Sequence, residues 1–128
     1  MAYESAQVRF GNLTAGADLS SKQYHFVKLA SATTVNVCTA ITDLPIGVLQ
    51  NNPTSGNTAT IAIFGVTKVV ADGTLAAGNI LGTSADSQAD AIVAGTDTTV
   101  YVMGQAITAG SAGETTTMFL NPTSARAA

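Results

Sequence analysis

Gly47-Val-Leu-Gln-Asn-Asn-Pro-Thr-Ser-Gly-Asn-Thr-Ala-Thr-Ile-Ala-Ile63 and Gly104-Gln-Ala-Ile-Thr-Ala-Gly-Ser-Ala-Gly-Glu-Thr-Thr-Thr-Met-Phe-Leu120 are two versions of one pattern. A constant offset of 57 residues, from 47 to 104, aligns Gly47 with Gly104 and Gly56 with Gly113. It also aligns Thr58 with Thr115, Thr60 with Thr117, Ile61 with Met118 and Ile63 with Leu120. A glycine nine positions after another, followed by polar residues that give way to apolar ones, reads as strand, turn, strand. The four glycines are assigned a structural role in a β-hairpin that occurs twice. No reactive side chain is repeated with it, which directs the search for function toward surface and assembly.

Working outward, the rest of the chain is short β-segments between turns. Gln23–Leu29 is rich in β-formers and apolar on both faces. Thr33–Thr39 alternates, with Val35 and Val37 on one side and Asn36 on the other. Pro45 opens the strand that leads into Gly47. Asn51–Asn57 is turn chemistry throughout. Ala59, Ile61 and Ile63 share a face, and Gly65 marks a bulge or bend before Val66–Ala71. Thr74–Gly78 reads as at most one helical turn closed by Gly78. Ser84–Gly95 fits a hairpin or a helical turn, with loop plus short strand preferred because its neighbours are β. Thr98–Ile107 and Thr115–Leu120 form the second hairpin. Nowhere do apolar residues recur at helical spacing over three turns. The expected fold is all-β, a small β-barrel or β-sandwich-like domain whose two similar hairpin halves pack around one core. Its parts are an N-terminal segment 1–20, a β-rich domain 21–121 and a C-terminal tail 122–128. The N-terminal segment reads either as a frayed terminus or as an extended arm pairing with a neighbouring subunit's sheet edge.

Composition narrows the function classes. At 128 residues the chain is long enough for one domain with its own core. Hydrophobic residues are 46% but aromatics only 5%, with no Trp, so the core is built from small side chains. Charged residues are 10%, against about 25% in ordinary soluble domains, so Thr, Ser, Asn, Gly and Ala must cover the surface. Such a surface loses little solvation against a partner. The five basic residues are Arg9, Lys22, Lys28, Lys68 and Arg126. They form no cluster able to displace counterions from phosphates, so nucleic acid is not an expected partner. No run approaches the ~18 apolar residues that span a bilayer, and Met1–Phe10 lacks a signal-peptide core, so the expectation is cytosolic synthesis and no membrane.

Candidate chemistry is sparse. His25 stands alone, flanked by Tyr24, Phe26 and Val27, and reads as a core or interface histidine, since no nucleophile motif accompanies it. Cys38 lies among Val35, Val37 and Ile41 and reads as a buried, inert thiol. One His and one Cys exclude a structural zinc site within the chain. Asp86, Asp90 and Asp97 are the one carboxylate grouping, and their spacing does not fit a calcium loop. No catalytic residue, metal site or cofactor is assigned, and no enzymatic activity is expected.

The order of segments resembles a known family. Pro45-Ile-Gly-Val-Leu49, the turn, Ala59-Thr-Ile-Ala-Ile-Phe-Gly-Val66 and Leu75-Ala-Ala-Gly-Asn-Ile-Leu-Gly82 resemble the tailed-bacteriophage capsid decoration, or cement, proteins. Val102–Gly113 followed by Thr117–Leu120 is similar to that family's closing hairpin. The resemblance spans roughly residues 40 to 121. It implies a compact β-rich domain that trimerises, binds the major capsid protein on the outside of the expanded icosahedral head at three-fold or quasi-three-fold positions, and stabilises it. It also implies an N-terminal arm that touches the capsid. By position alone that arm is Tyr3–Phe10, with Tyr3, Val8, Arg9 and Phe10 as candidate capsid contacts. The implied location is the virion exterior. The alternative is a fibre or spike module that recognises surface glycan, which the lack of Trp disfavours. A hydrolase using Asp or Thr alone is a third class.

Overall fold

A computed structural model of the chain describes residues 2–127. Among them are nine strands and no helix: β1 (Gln7–Ala15), β2 (Phe26–Leu29), β3 (Thr34–Val37), β4 (Gly47–Leu49), β5 (Thr58–Val70), β6 (Ile80–Thr83), β7 (Ala89–Ala91), β8 (Gly104–Ala106) and β9 (Thr115–Leu120). Their order in the sheet is β1-β3-β2-β4-β5-β9-β8-β6-β7, and β1 also pairs with β5, so the first five strands close into a ring. A parallel bridge between Ala71 and Ala89 brings the end of β5 beside β7. That bridge closes a second ring of β5, β9, β8, β6 and β7. The two rings share β5 as a common wall, and closure removes the free sheet edges that an open β-domain must protect.

The second ring copies the first, strand for strand and in the same register. Val48 pairs with Ala62 and Leu49 with Ile61; 57 residues on, Gln105 pairs with Phe119 and Ala106 with Met118. Val27 pairs with Val37 and Lys28 with Asn36; 54 residues on, Leu81 pairs with Ala91 and Gly82 with Asp90. Phe26–Val48 is matched by Ile80–Gln105. The parallel pair Ala15–Val35 is matched by Ala71–Ala89. Thus β1–β4 correspond to β5–β8, while β5 serves as the last strand of one ring and the first of the other. The duplication covers nearly the whole domain, well beyond the hairpin.

The turns repeat as well. Gly56 N–H donates to Ala15 C=O at 2.9 Å and Ala15 N–H to Asn57 C=O at 2.9 Å; Gly113 donates to Ala71 at 2.7 Å and Ala71 to Glu114 at 2.8 Å. Gly56 and Gly113 both have φ of +82°. Asn51 Oδ1 accepts from Thr60 N at 3.0 Å, and Thr108 Oγ1 accepts from Thr117 N at 2.9 Å in the equivalent place. Different side chains thus satisfy the same orphaned donor. At Gly47 a Cβ would lie 2.1 Å from Ala62 O, and at Gly104 it would lie 2.0 Å from Phe119 O. Both hairpins therefore begin where two backbones approach too closely for any side chain.

Two buried clusters replace the single core expected from the sequence. One holds Leu13, Leu19, Val27, Val35, Leu49 and Ile61 inside the first ring. The other holds Val69, Leu75, Leu81, Met103, Met118 and Leu120 inside the second, together with Phe26, Cys38, Val48 and Ala62 from the first. A shared wall keeps the interiors apart, which is the physical reason for two cores.

Several local expectations are corrected. Thr74–Gly78 makes no helical turn, because Leu75 exchanges both backbone bonds with Gly110 (2.8 and 3.1 Å) and is buried there. In Thr98–Ile107 only Gly104–Ala106 is strand; the chain first turns about Asp97, whose Oδ2 accepts from Val93 N at 2.7 Å. The C-terminal segment is held along the body, where Val102 N–H donates to Ala125 C=O at 2.9 Å and Ala127 N–H to Val100 C=O at 2.8 Å. From Gln7 to Ala15 the N-terminal segment is β1, paired with β3 and β5 of its own chain as a full wall of the first ring. Met1 and Ala128, the outermost residues of the expected arm and tail, lie outside the described residues.

Candidate functional site

The residues singled out in the N-terminal segment are held on the chain's own body. Tyr3 N donates to Thr117 Oγ1 at 2.7 Å, and that hydroxyl donates to Tyr3 O at 3.2 Å. Val66 N–H donates to Ala6 C=O at 3.1 Å. Thr117 is fully buried beneath these contacts and its bonds to Thr108 and Ile107. Val8 pairs with Phe64, and Arg9 with Ala62. Arg9 also meets Glu4 at 3.4 Å in an exposed ion pair. Phe10 packs against the first core from its edge. Of the four candidates, Tyr3 and Val8 present exposed apolar surface, and Arg9 lies beside them.

The larger apolar surface was not singled out from the sequence. Phe64 and Phe119 meet edge to face on the outside of β5 and β9, with ring centres 5.5 Å apart. Phe119 lies beside Gln105, and Gln105 beside Ile80, so these three form a row across β9, β8 and β6. All three are exposed, Ile80 at 46%. The same positions in the first ring are Ala62, Val48 and Phe26, each fully buried in the second cluster. One face of the repeat is therefore covered in its first copy and bare in its second. A signal was present in the sequence: Ile63-Phe64 and Met118-Phe119-Leu120 put a large apolar residue where alternation calls for a polar one.

The opposite asymmetry occurs at the mouths of the rings. In the second ring Met103 and Leu120 are fully buried, in one cluster with Phe26, Val48 and Ala62. Their counterparts in the first ring, Ile46 and Ile63, are only partly buried. Beside Ile46 lies an open groove of about 470 Å³, lined by Lys28, Leu29, Leu44, Pro45 and the tail residues Pro122 and Ser124. Leu29 and Leu44 are exposed on it.

The titratable groups are dispersed. His25 Nδ1 lies 2.7 Å from Ser87 Oγ, a bond that ties the first ring to the second. Burial, then the neighbouring Lys22 charge, pushes the His25 pKa down, so the ring is neutral at pH 7. A Ser–His contact is also nucleophile–base geometry. Here Ser87 is 1% exposed and its hydroxyl also donates to the Asp86 carbonyl. Burial, then the Asp43 charge, raises the Cys38 thiol to about 12, so it stays protonated. For Asp43, burial alone would raise the carboxyl. Lys28 Nζ at 2.8 Å and the N–H groups of Thr39 and Ala40 outweigh it and hold the pKa low. Asp86 sits by Ser87, whereas Asp90 and Asp97 line a different hollow, so the three carboxylates are not brought together. Burial, then Asp72, raises Asp90. No group of three or more potential metal ligands is found among the described residues. What this geometry offers is a rigid body with apolar surface in two places.

No protein-family model matches the chain, and no curated protein matches it. Among solved structures, the crystal structure of the head fiber gp8.5 N base of bacteriophage phi29 is similar, with a TM-score of 0.67. The match covers 91% of this chain and 95% of that one, at 17% identity. At that identity the likeness establishes a shared fold.

Proposed function

We propose that this protein is a non-catalytic structural component of a phage virion, bound as a homotrimer to the major capsid protein on the outside of the expanded head, at three-fold or quasi-three-fold sites, where it stabilises the shell. The observation that carries the reading is the shared fold with the head fiber base, matched over nearly the full length of both chains. The capsid-decoration resemblance of residues 40–121 points to the same surface of the same kind of particle. The body suits mechanical work: two closed rings with a common wall deform little, because a packed β-core transmits strain rather than absorbing it. A trimer that touches three equivalent sites strengthens weak contacts by roughly 10²–10⁴ through effective concentration. Small polar residues over most of the surface then suffice at each contact.

The test is addition of the purified chain to undecorated expanded heads. Saturable binding and a higher temperature of head disruption are expected; heads that neither bind the chain nor gain resistance overturn the reading. A second reading is a fibre module, and the description of the phi29 protein as a fiber base favours it. Micrographs of particles carrying the protein separate the two, since cement appears as low knobs and a fibre as a projecting rod. Specific hits on a glycan array would support the fibre reading in its glycan-binding form.

A further inference from the structure

We infer that copies of this chain join head to tail, the Ile80–Gln105–Phe119 row of one molecule seating on the Leu29–Leu44–Ile46 mouth of the next. This contact would repeat between molecules the side-chain packing that joins the two rings within one. The inference rests on the trimeric reading above and names the surfaces that build the trimer.

The argument is the broken equivalence of the two rings. Inside the chain, the first ring's outer row of Phe26, Val48 and Ala62 is buried in one cluster with Met103 and Leu120 of the second ring. Backbone bonds seal that junction, from Phe26 N to Ser87 O at 2.7 Å and from Val70 N to Tyr24 O at 3.0 Å. The second ring carries the same row at the same register, made of Ile80, Gln105 and Phe119, and none of the described residues covers it. The first ring has Ile46 and Ile63 in the places of Met103 and Leu120, only partly buried, and the groove beside Ile46 stays open among the described residues, with Pro122 and Ser124 at its border.

Each molecule thus bears both halves of a contact whose form is already realised within it. A second copy is the occupant that supplies the matching half in both places. Gln105 in the middle of the row departs from the apolar pattern of Val48, as expected where the surface must remain soluble before assembly. The contact is heterologous, so each addition leaves one row and one mouth free until a ring closes. In the trimer proposed above, closure occurs at three copies.

Native mass spectrometry and sedimentation of the full chain test this. The unmodified chain is expected as a trimer. A row variant carrying Ile80→Asp and Phe119→Asp, and a mouth variant carrying Leu44→Asp, should each weaken association by about 30-fold or more, the scale of a hot-spot residue, and run as monomers. Mixing the two variants should give a heterodimer and nothing larger, because one intact row meets one intact mouth. Circular dichroism checks that each variant folds; Gln105→Lys, an exposed change in the same row, replaces the double variant if it does not. A trimer that survives both row and mouth changes overturns this interface and leaves the trimeric reading standing. A native chain that stays monomeric overturns both, while its binding to heads is decided separately.

Discussion

Single residues show the duplication most sharply, because equivalent positions make the same demand and the two glycine pairs make different ones. Gly47 and Gly104 stand where a Cβ would overlap a backbone oxygen, whereas Gly56 and Gly113 face open space and need only a positive φ. Ala at either of the first pair should therefore cost about 3 kcal/mol or more by overpacking. Ala at either of the second should cost about 1–2 kcal/mol of left-handed strain. Urea unfolding of the four variants measures the contrast, and equal costs would mean the close approaches are absent. The four glycines were legible from spacing alone, but their two different reasons were not, since a turn glycine and a crowded glycine are spelled identically. His25 makes a second residue-scale prediction. Its folded pKa is lowered by burial, so between that value and about 6.5 the unfolded chain binds the proton more readily. Stability should therefore fall as pH drops below about 6.5. His25→Gln should flatten that part of the profile. Asp43 acts at lower pH with the same sign: its depressed pKa gives stability above the unfolded value near 4, lost as pH falls further.

Among the elements, β5 decides the architecture. Its 13 residues pair with β1 and β4 at one end and with β9 over the other. Its amides should be the slowest to exchange with deuterium, and the edge segments 3–6 and 123–127 among the fastest. Slow exchange confined to β9, with β5 exchanging early, would contradict a shared wall. The equivalent strands β2 and β6 give a paired test. Phe26 is fully buried and its counterpart Ile80 is 46% exposed. Phe26→Ala should cost about 3–5 kcal/mol and Ile80→Ala under about 1 kcal/mol. The β-hairpins and their register were readable because Gly, Asn and Thr punctuate them on a fixed offset. The matches of β2 with β6 and of β3 with β7 were not, because Phe26-Val-Lys-Leu29 and Ile80-Leu-Gly-Thr83 share backbone roles but not one residue. The role of β1 was missed for a related reason. Gln7–Ala15 is polar and Gly-punctuated, and only its pairing with both β3 and β5 makes it a strand.

For the whole molecule, two cores and one shared wall predict a single cooperative unfolding transition. Phe26, Val48 and Ala62 of the first ring are part of the second ring's core, so neither ring can open alone. Calorimetric and van't Hoff enthalpies should agree; two resolved transitions would refute the coupling. The all-β class and the doubling were legible from the chain, while the number of cores was not, since apolar alternation states that a face is buried but not against what. For the same reason the exposed row was only partly legible: Met118-Phe119-Leu120 breaks the alternation, but nothing beside Ile80 shows that it stays bare until the partner is placed. The central claim is that this doubled ring clamps a phage head from outside. Cryo-electron microscopy of expanded heads incubated with the chain tests it most directly. The account predicts three-lobed density, one lobe per chain, on the outer surface at three-fold or quasi-three-fold positions. A head surface left bare at saturating protein, or density confined to the inside of the shell, would contradict it.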